Sequence, residues 1–518
     1  MYTQSASFMR LYYRAVCLEA RGLPLLHEID KEVESLLALS DEELITASLH
    51  ELPAISKRVI RCLETGESYT PPRFAALVTL VQGTTGRMQG ECLALLRQVC
   101  EWAYKVDLPH SPEAVAAVFD NFIETEEELA GLIIDGEDPT LRLARRICHE
   151  LMPATLPSAT GRHGTGAVAD GVKPHRRWRS ALKVTPELES LMGFSETWGT
   201  ESTVVTEAYE SKTACVPKDA RGPRLICMEP FSLMFHQQPL AIWFKKFFRR
   251  FEFGESLNFE DQTRNQELAR RASLSGEGRL ELATLDLKEA SDRVSMRLVK
   301  FLLPDHWFVL LSALRSNSTK ILHPAGPIQR PLLKFAPMGS ALCFPVEMLC
   351  FFCLACAATT RALRLSRWQH AAARLSVYGD DVIVPTQAAD AVVMAFESVG
   401  LKVNLDKSFA KGPFRESCGA DWLDGFDVTP VRWRRHHDRA TAVYLESTVE
   451  FSNNLYRKGY WALAGAVRQW VHELGFELAY EHPDHRNGIA FESFFGPAFY
   501  LFRGGMPTYR WNSRLHTF

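Results

Sequence analysis

The stretch Ser376–Pro385 constrains this chain more than any other. Leu375 and Val377 lead into Tyr378-Gly379-Asp380-Asp381, and Val382, Ile383 and Val384 carry the chain away. Two β-rich runs joined through a glycine predict a hairpin, because Gly379 lets the backbone bend tightly. Two adjacent carboxylates then sit at the tip, where they repel each other unless positive charge neutralises them. A pair of divalent cations would do so. A solvated Asp-rich turn is the competing reading of the tetrapeptide taken alone.

A chain of 518 residues can fold as two or three subdomains around a large core. Its net charge is −3, so any nucleic-acid surface must be a local patch. Acidic residues concentrate early, at Asp41–Glu43, Glu124–Glu128 and Asp135–Asp138, and basic runs lie further on. The first residues lack the basic-then-apolar pattern of a signal peptide. No stretch reaches the roughly 18 uninterrupted apolar residues of a membrane span. Met348–Ala358, bounded by Glu347 and Arg361, predicts a buried helix instead. The twelve cysteines form no disulfide-like framework, which points to a reducing cytoplasm. Cys350, Cys353 and Cys356 share that apolar helix with no turn to fold them round a metal, so they belong to the core.

Residues 1–150 read as mostly helical, with Ser40 opening a helix whose first turn is acidic. Pro153–Val172 changes to Pro, Gly, Ser and Thr and contains Arg162-His163-Gly164-Thr165-Gly166. That segment is either a connector or a loop whose amides approach phosphate. Lys173–Lys183 sets basic residues around Trp178, a pattern shared by a nucleic-acid strand site and a solvated face. Val216–Arg224 places Lys218, Arg221 and Arg224 in a Pro/Gly-punctuated loop beside a strand, a spacing suited to a triphosphate. Phe231–Phe253 predicts an amphipathic helix, and Leu282–Leu287 a short strand ending near Asp286, with Ser291-Asp292 just beyond. Alone, Asp286 is equally a strand-end cap. Beside Asp380-Asp381 it becomes the further carboxylate a two-metal magnesium site needs. Phe335–Ser340 forms a Gly-containing loop, and Ala391–Val399 a helix before the strand-like Leu401–Asn404 and Lys407. Trp422–Val428 predicts another hairpin, and a basic, aromatic run from Arg432 precedes a helical tail.

In this order the pieces resemble the palm of a template-dependent polymerase. They are most similar to the catalytic (beta) subunit of the RNA-directed RNA polymerases of single-stranded RNA bacteriophages, the levivirus replicases. The match is carried by Pro217-Lys218 through Arg224, Glu229-Pro230, Asp261-Gln262, Asn265-Gln266, Asp286-Leu287 and Ala290-Ser291-Asp292. It continues through Met338-Gly339, Tyr378-Gly379-Asp380-Asp381, Gly412-Pro413-Phe414-Arg415-Glu416-Ser417-Cys418-Gly419 and Asp427-Val428-Thr429-Pro430. Together these span residues 217–430 in order; each is weak alone.

The resemblance implies an α+β right hand with an antiparallel palm sheet backed by helices. Residues 1–277 would form an N-terminal helical region and fingers, and 293–333 a fingers insertion. The palm would comprise 278–292 and 334–430, and the thumb 431–518. It implies template-dependent RNA synthesis from ribonucleoside triphosphates on an RNA template, replicating a phage genome in the cytoplasm of an infected bacterium. Two Mg²⁺ ions, replaceable in binding by Mn²⁺ or Ca²⁺, would be held by Asp286, Asp380, Asp381 and the Leu287 carbonyl. Lys218, Arg221 and Arg224 would grip the triphosphate, and Ser291, Asp292, Gly339 and Ser340 would contact the nucleotide, with Asp292 sensing the ribose 2′-hydroxyl. Lys407 would protonate the pyrophosphate. Many relatives carry Asn where this chain has Ser340. Host elongation factors Tu and Ts and a ribosomal protein are the implied partners, with no membrane. The alternatives are a reverse transcriptase or capsidless-virus polymerase sharing the palm, and a non-catalytic RNA-binding protein retaining it. The glycine before the Asp pair and the Gly412–Gly419 run favour the phage type.

Overall fold

The computed structural model describes residues 2–157, 161–192, 202–219, 222–257, 259–434, 442–485 and 488–494. The chain divides into two compact units. The smaller comprises Met1–Cys62, Gly66–Pro109 and Val428–Phe518, and the larger Leu63–Thr65 with His110–Asp427.

The larger unit is built on a four-stranded antiparallel sheet, ordered Lys402–Val403, Leu282–Lys288, Asp381–Pro385 and Ser376–Tyr378. The last two strands are the expected hairpin. Gly379 turns it with a φ of +58°, and a Cβ there would meet Phe344 Cε2 at 2.9 Å. Behind the sheet lies the helix Cys343–Ala362, with 17 of its residues buried. Its length and apolarity are those of a membrane-crossing helix, yet its most apolar stretch is 94% buried within the unit. Cys350, Cys353 and Cys356 are free and wholly enclosed, part of the main apolar cluster with Val377, Val382 and Val384. Removing this much apolar surface from water is what fixes the sheet on the helix.

A second four-stranded sheet is ordered Gly222–Met228, Glu210–Asp219, Ser318–Ile321 and Ile328–Pro331. Helix Pro112–Ala130 covers it, burying Phe119 and Phe122 against Leu225, Cys227 and Ile321. The structure corrects one expectation here. Lys218 and Arg224 stand on the paired strands of a β-ribbon rather than on an irregular loop. A register shift between Val216 and Asp219 accommodates Pro217, which a regular ladder would exclude. Arg221 lies outside the described residues.

The Gly-rich segment after Pro153 is held in place by Arg177, whose side chain is buried. Its guanidinium donates to the carbonyls of Val172 (3.1 Å), Gly164 and Gly166. One cation of the basic run is therefore consumed internally, while Trp178 stays exposed and meets the His163 ring edge-on at 4.7 Å.

The smaller unit is helical, as the early sequence implies. Ser40 and Glu43 form a capping box that satisfies the free amides of the helix Asp41–Thr46. C-terminal helices Ala442–Arg457 and Trp461–Glu473 complete it, the latter packed on Tyr2–Glu19. The basic, aromatic run begins inside this unit. Trp433 is buried against Trp102, with ring centroids 5.9 Å apart, and Arg432 pairs with the buried Glu101 at 2.6 Å.

Candidate active site

Hairpin register brings the acidic residues together. Asp381 opens its strand as the cross-strand partner of both Tyr378 and Asp286, and Asp380 is exposed in the turn. Directly opposed residues on one sheet face lie roughly 5 Å apart at Cβ, so Asp286 and Asp381 share one small volume.

Asp286 and Asp381 each have a partner that aims the carboxylate. Asn404 Nδ2 donates to Asp286 Oδ2 at 2.7 Å, and Asn404 N–H donates to the Asp286 carbonyl at 2.8 Å. Lys407 Nζ lies 3.6 Å from Asp286 Oδ1 and 3.8 Å from Glu416 Oε1, bridging the sheet strand to the strand Phe414–Ser417. Ser417 Oγ donates to Asp381 Oδ1 at 3.3 Å. Helix Thr263–Ser273 knits the hairpin from below. Asn265 Oδ1 accepts from Ser376 Oγ at 2.6 Å, and its Nδ2 donates to the Asp381 carbonyl at 3.4 Å. Gln266 donates to the Cys418 carbonyl at 3.1 Å, and Gln262 to the Tyr378 hydroxyl at 3.2 Å. Tyr378 itself packs edge-on against Phe344, a structural placement. The sequence pairs Asp261-Gln262 and Asn265-Gln266 thus acquire a role: Asp261 accepts from Thr263 at the start of the helix, Gln262 and Asn265 hold the acidic hairpin, and Gln266 holds the turn at Cys418.

The Gly412–Gly419 run is organised by Arg415, which is fully buried. Its guanidinium donates to the carbonyls of Leu282, Lys411, Gly412, Phe414 and Ala410, tying this run to the start of the Asp286 strand.

Crowding and burial raise the proton affinity of Asp286 and Asp381. Burial, then the neighbouring Asp380 charge, push Asp381 up to about 7, against an opposing Cys418 amide. Asp286 is raised by burial and Asp380 and lowered by Lys407. Glu416 and then Asp286 hold the Lys407 ammonium above its ordinary value, although burial opposes them. One lysine therefore faces several carboxylates, an excess of negative charge that a divalent cation would neutralise. Among the described residues, no three acidic, imidazole or thiol side chains already enclose a cation site.

The nucleotide-contacting candidates divide into two groups. Asp292, on the short helix Ala290–Arg293, faces the buried Lys334, whose Nζ is 3.4 Å from Asp292 Oδ1. Ser291 is buried and hydrogen-bonds the Cys343 thiol, which in turn donates to Glu347 at 3.8 Å. Gly339 turns its loop with a φ of +121°. A Cβ there would stand 2.2 Å from the Cys227 carbonyl oxygen, so only glycine fits. The Ser340 hydroxyl points inward and donates to Gln237 at 3.2 Å. Lys218 and Arg224 are exposed on the separate β-ribbon.

Sequence reasoning missed Lys334, Glu126 and Glu347. Glu347 was legible only as the boundary of an apolar run. It is buried, and burial followed by the charges of Asp380 and Asp292 hold its carboxyl well above the usual range. A glutamate inside a helix this apolar is itself the signal.

Sheet and site define an α+β protein of the palm type, an antiparallel sheet with an acidic hairpin beside an acidic central strand. Residues 164–461 match the family described as RNA replicase, beta-chain, which is more than half of the chain. The chain belongs to the RNA replicase beta-chain family. It is 37% identical over 225 residues to the RNA-directed RNA polymerase subunit beta of Enterobacteria phage SP, covering 43% of this chain and 36% of the relative. Against the corresponding subunit of Escherichia virus Qbeta it is 36% identical over 257 residues, 50% of this chain and 39% of that one. Against the beta chain of Escherichia phage MS2 it is 30% identical over 285 residues, 52% and 48%. The match thus spans less than half the length of these relatives. Among solved structures, the BmCPV RNA-dependent RNA polymerase at elongation state aligns at 9% identity and a TM-score of 0.41, covering 80% of this chain and 41% of that one. An insertion-loop deletion mutant of a human picobirnavirus RNA-dependent RNA polymerase aligns at 12% identity and a TM-score of 0.38, covering 82% and 84%. Scores this low do not define a shared topology.

Proposed function

We propose that this chain is the catalytic subunit of a phage RNA-directed RNA polymerase, extending an RNA strand on an RNA template from ribonucleoside triphosphates inside an infected bacterium. The observation that carries the reading is the pairing of Asp286 with Asp381 beside Asp380, with Asp286 aimed by Asn404 and Asp381 by Ser417. Residues before Gly278 and around Arg293–Leu333 would act as fingers, 278–292 and 334–430 as palm, and the C-terminal residues as thumb.

Asp286 and Asp380 would hold two Mg²⁺ ions, with Asp381 and the Leu287 carbonyl beside them. When bound, the ions would activate the primer 3′-hydroxyl and neutralise the triphosphate and the departing pyrophosphate. The remaining work falls to side chains. Lys218, Arg221 and Arg224 would draw in the triphosphate through charge-assisted hydrogen bonds. Asp292 and Ser291, with the loop at Gly339 and Ser340, would bound the ribose. Lys407, kept cationic by Glu416 and Asp286, would give its proton to the leaving pyrophosphate. The Asn404 and Ser417 contacts would keep both carboxylates oriented whether or not substrate is present. Elongation factors Tu and Ts and a ribosomal protein are proposed as host partners, supported by the family alone.

The test is incorporation of labelled ribonucleotides on a poly(C) template, with and without Mg²⁺ and with host elongation factors present or absent. Mg²⁺-dependent synthesis that disappears in Asp380→Asn is expected. Absence of synthesis by the wild type under every one of these conditions would overturn the reading.

A further inference from the structure

Lys334 is a fully enclosed cation near the site: its side chain has no exposed surface. Four groups surround its ammonium. Asp292 Oδ1 lies at 3.4 Å, Glu126 Oε1 at 3.9 Å, the Phe122 carbonyl at 3.3 Å, and the Phe122 ring centroid at 3.3 Å. A charge this far from water must be paired, and removing one partner strands the other.

The surrounding backbone allows little adjustment. Arg315 donates to the Lys334 carbonyl at 2.8 Å, and Phe335 N–H donates to the Val294 carbonyl at 2.7 Å. Glu126 Oε2 accepts from Leu333 N–H at 2.6 Å. Helix Pro112–Ala130 is fastened to the Asp292 turn at two further points. Asn121 donates to Glu289 at 2.7 Å, and Glu128 pairs with Arg293 at 2.6 Å. Glu289 sits in the left-handed region at φ +51°, so the turn itself is strained into place.

The two carboxylates do not share the lysine equally. Glu126 lies farther from the ammonium, accepts backbone amides, and is raised by burial above its ordinary value despite Lys334. Asp292 keeps a quarter of its side-chain surface open, and one of its oxygens faces the ammonium. Lys334 thus holds one oxygen of this carboxylate while part of the side chain stays open to solvent.

Resting on the polymerase reading, we propose that Lys334 is a positioning residue for sugar selection: it locks the Asp292 carboxylate in the orientation that accepts a ribose 2′-hydroxyl. A site built to hydrogen-bond a hydroxyl discriminates against the analogue lacking it only while its acceptor is held in place.

The test compares kcat/KM for a ribonucleotide and its 2′-deoxy counterpart in wild type, Lys334→Met, Asp292→Asn and the combination. Lys334→Met is expected to lower the ribo-to-deoxy ratio about tenfold or more, the worth of one charge-assisted hydrogen bond, through loss on the ribonucleotide alone. In the Asp292→Asn background it changes the ratio no further, because the two act as one unit. Lys334→Met/Glu126→Gln leaves no stranded Glu126 carboxylate. It safeguards against misfolding and is expected to show the same fall. Equal losses on both substrates, with the ratio within about threefold of wild type, would make Lys334 structural and overturn the inference. A wild type that incorporates neither substrate would instead overturn the polymerase reading, and this inference with it.

Discussion

Replacing Glu101 by glutamine tests how the smaller unit holds its two ends of sequence together. Glu101 is buried between Arg97 Nη2 at 3.3 Å and Arg432 Nη2 at 2.6 Å, and accepts from Ser56 Oγ at 2.7 Å. Burial alone would raise its carboxyl, but the two guanidinium groups outweigh burial and bring it down from 4.5 to about 2. That difference corresponds to about 3 kcal/mol favouring the ionised carboxylate in the folded state. Glutamine keeps the shape and an acceptor for Ser56, so the change removes mainly the charge. The Arg432 pair bridges residues distant in sequence, and the neighbouring Trp433 N–H donates to the Trp102 carbonyl at 2.7 Å. Hydrogen exchange in peptides covering Glu101–Val106 and Val431–Arg434 therefore reads the contact locally. About 3 kcal/mol predicts roughly 100-fold faster exchange at neutral pH in Glu101→Gln. Because the folded value is depressed, the stabilisation is present above pH 4.5 and is lost as pH falls toward about 2. Wild-type protection should decline over that window after correction for intrinsic rates, while the variant shows no such component. Exchange in the variant within about threefold of wild type at neutral pH would refute the reasoning.

Two other substitutions probe the larger unit. Gly339→Ala places a Cβ 2.2 Å from the Cys227 carbonyl oxygen, where backbone opposes it, and threatens the 2.7 Å bond from Cys227 N–H to the Met338 carbonyl. A cost of about 2–4 kcal/mol is expected, read as a lowered unfolding midpoint, and an unchanged midpoint would contradict this close approach of the loop to Cys227. Asn265→Ala removes the side chain that accepts from Ser376 and donates to the Asp381 carbonyl. Nucleotide incorporation should fall at least tenfold, on the order of one buried hydrogen-bond pair, with RNA affinity retained, and full activity would remove Asn265 from the positioning of the hairpin.

Much of the larger unit was legible because its signals are local. The β-rich runs on either side of Gly379 specify the hairpin, and the uninterrupted apolar run around Cys353 specifies the core helix. Asp286 needed the hairpin beside it before it meant more than a strand end. What stayed hidden depends on contacts distant in sequence. Nothing near Lys334 announces that Glu126 and Asp292 will close on it, and nothing near Arg415 indicates that its side chain will gather five carbonyls. Basic residues were the least legible, because a guanidinium reads alike whether it faces solvent, substrate or its own backbone. Arg177 and Arg432 proved internal. The expected cationic loop became a β-ribbon because a bulge lets Pro217 sit within paired strands, which composition alone does not disclose.

Nucleotidyl transfer is the role proposed for the acidic hairpin and its partner strand. Its most direct test is extension of a labelled RNA primer on an RNA template by wild type, Asp286→Asn and Asp380→Asn, with RNA binding measured alongside by filter retention. Mg²⁺-dependent extension by the wild type is expected, with a loss of about a thousandfold or more in both variants and RNA binding within a few-fold of wild type. Extension by Asp380→Asn at the wild-type rate would contradict it.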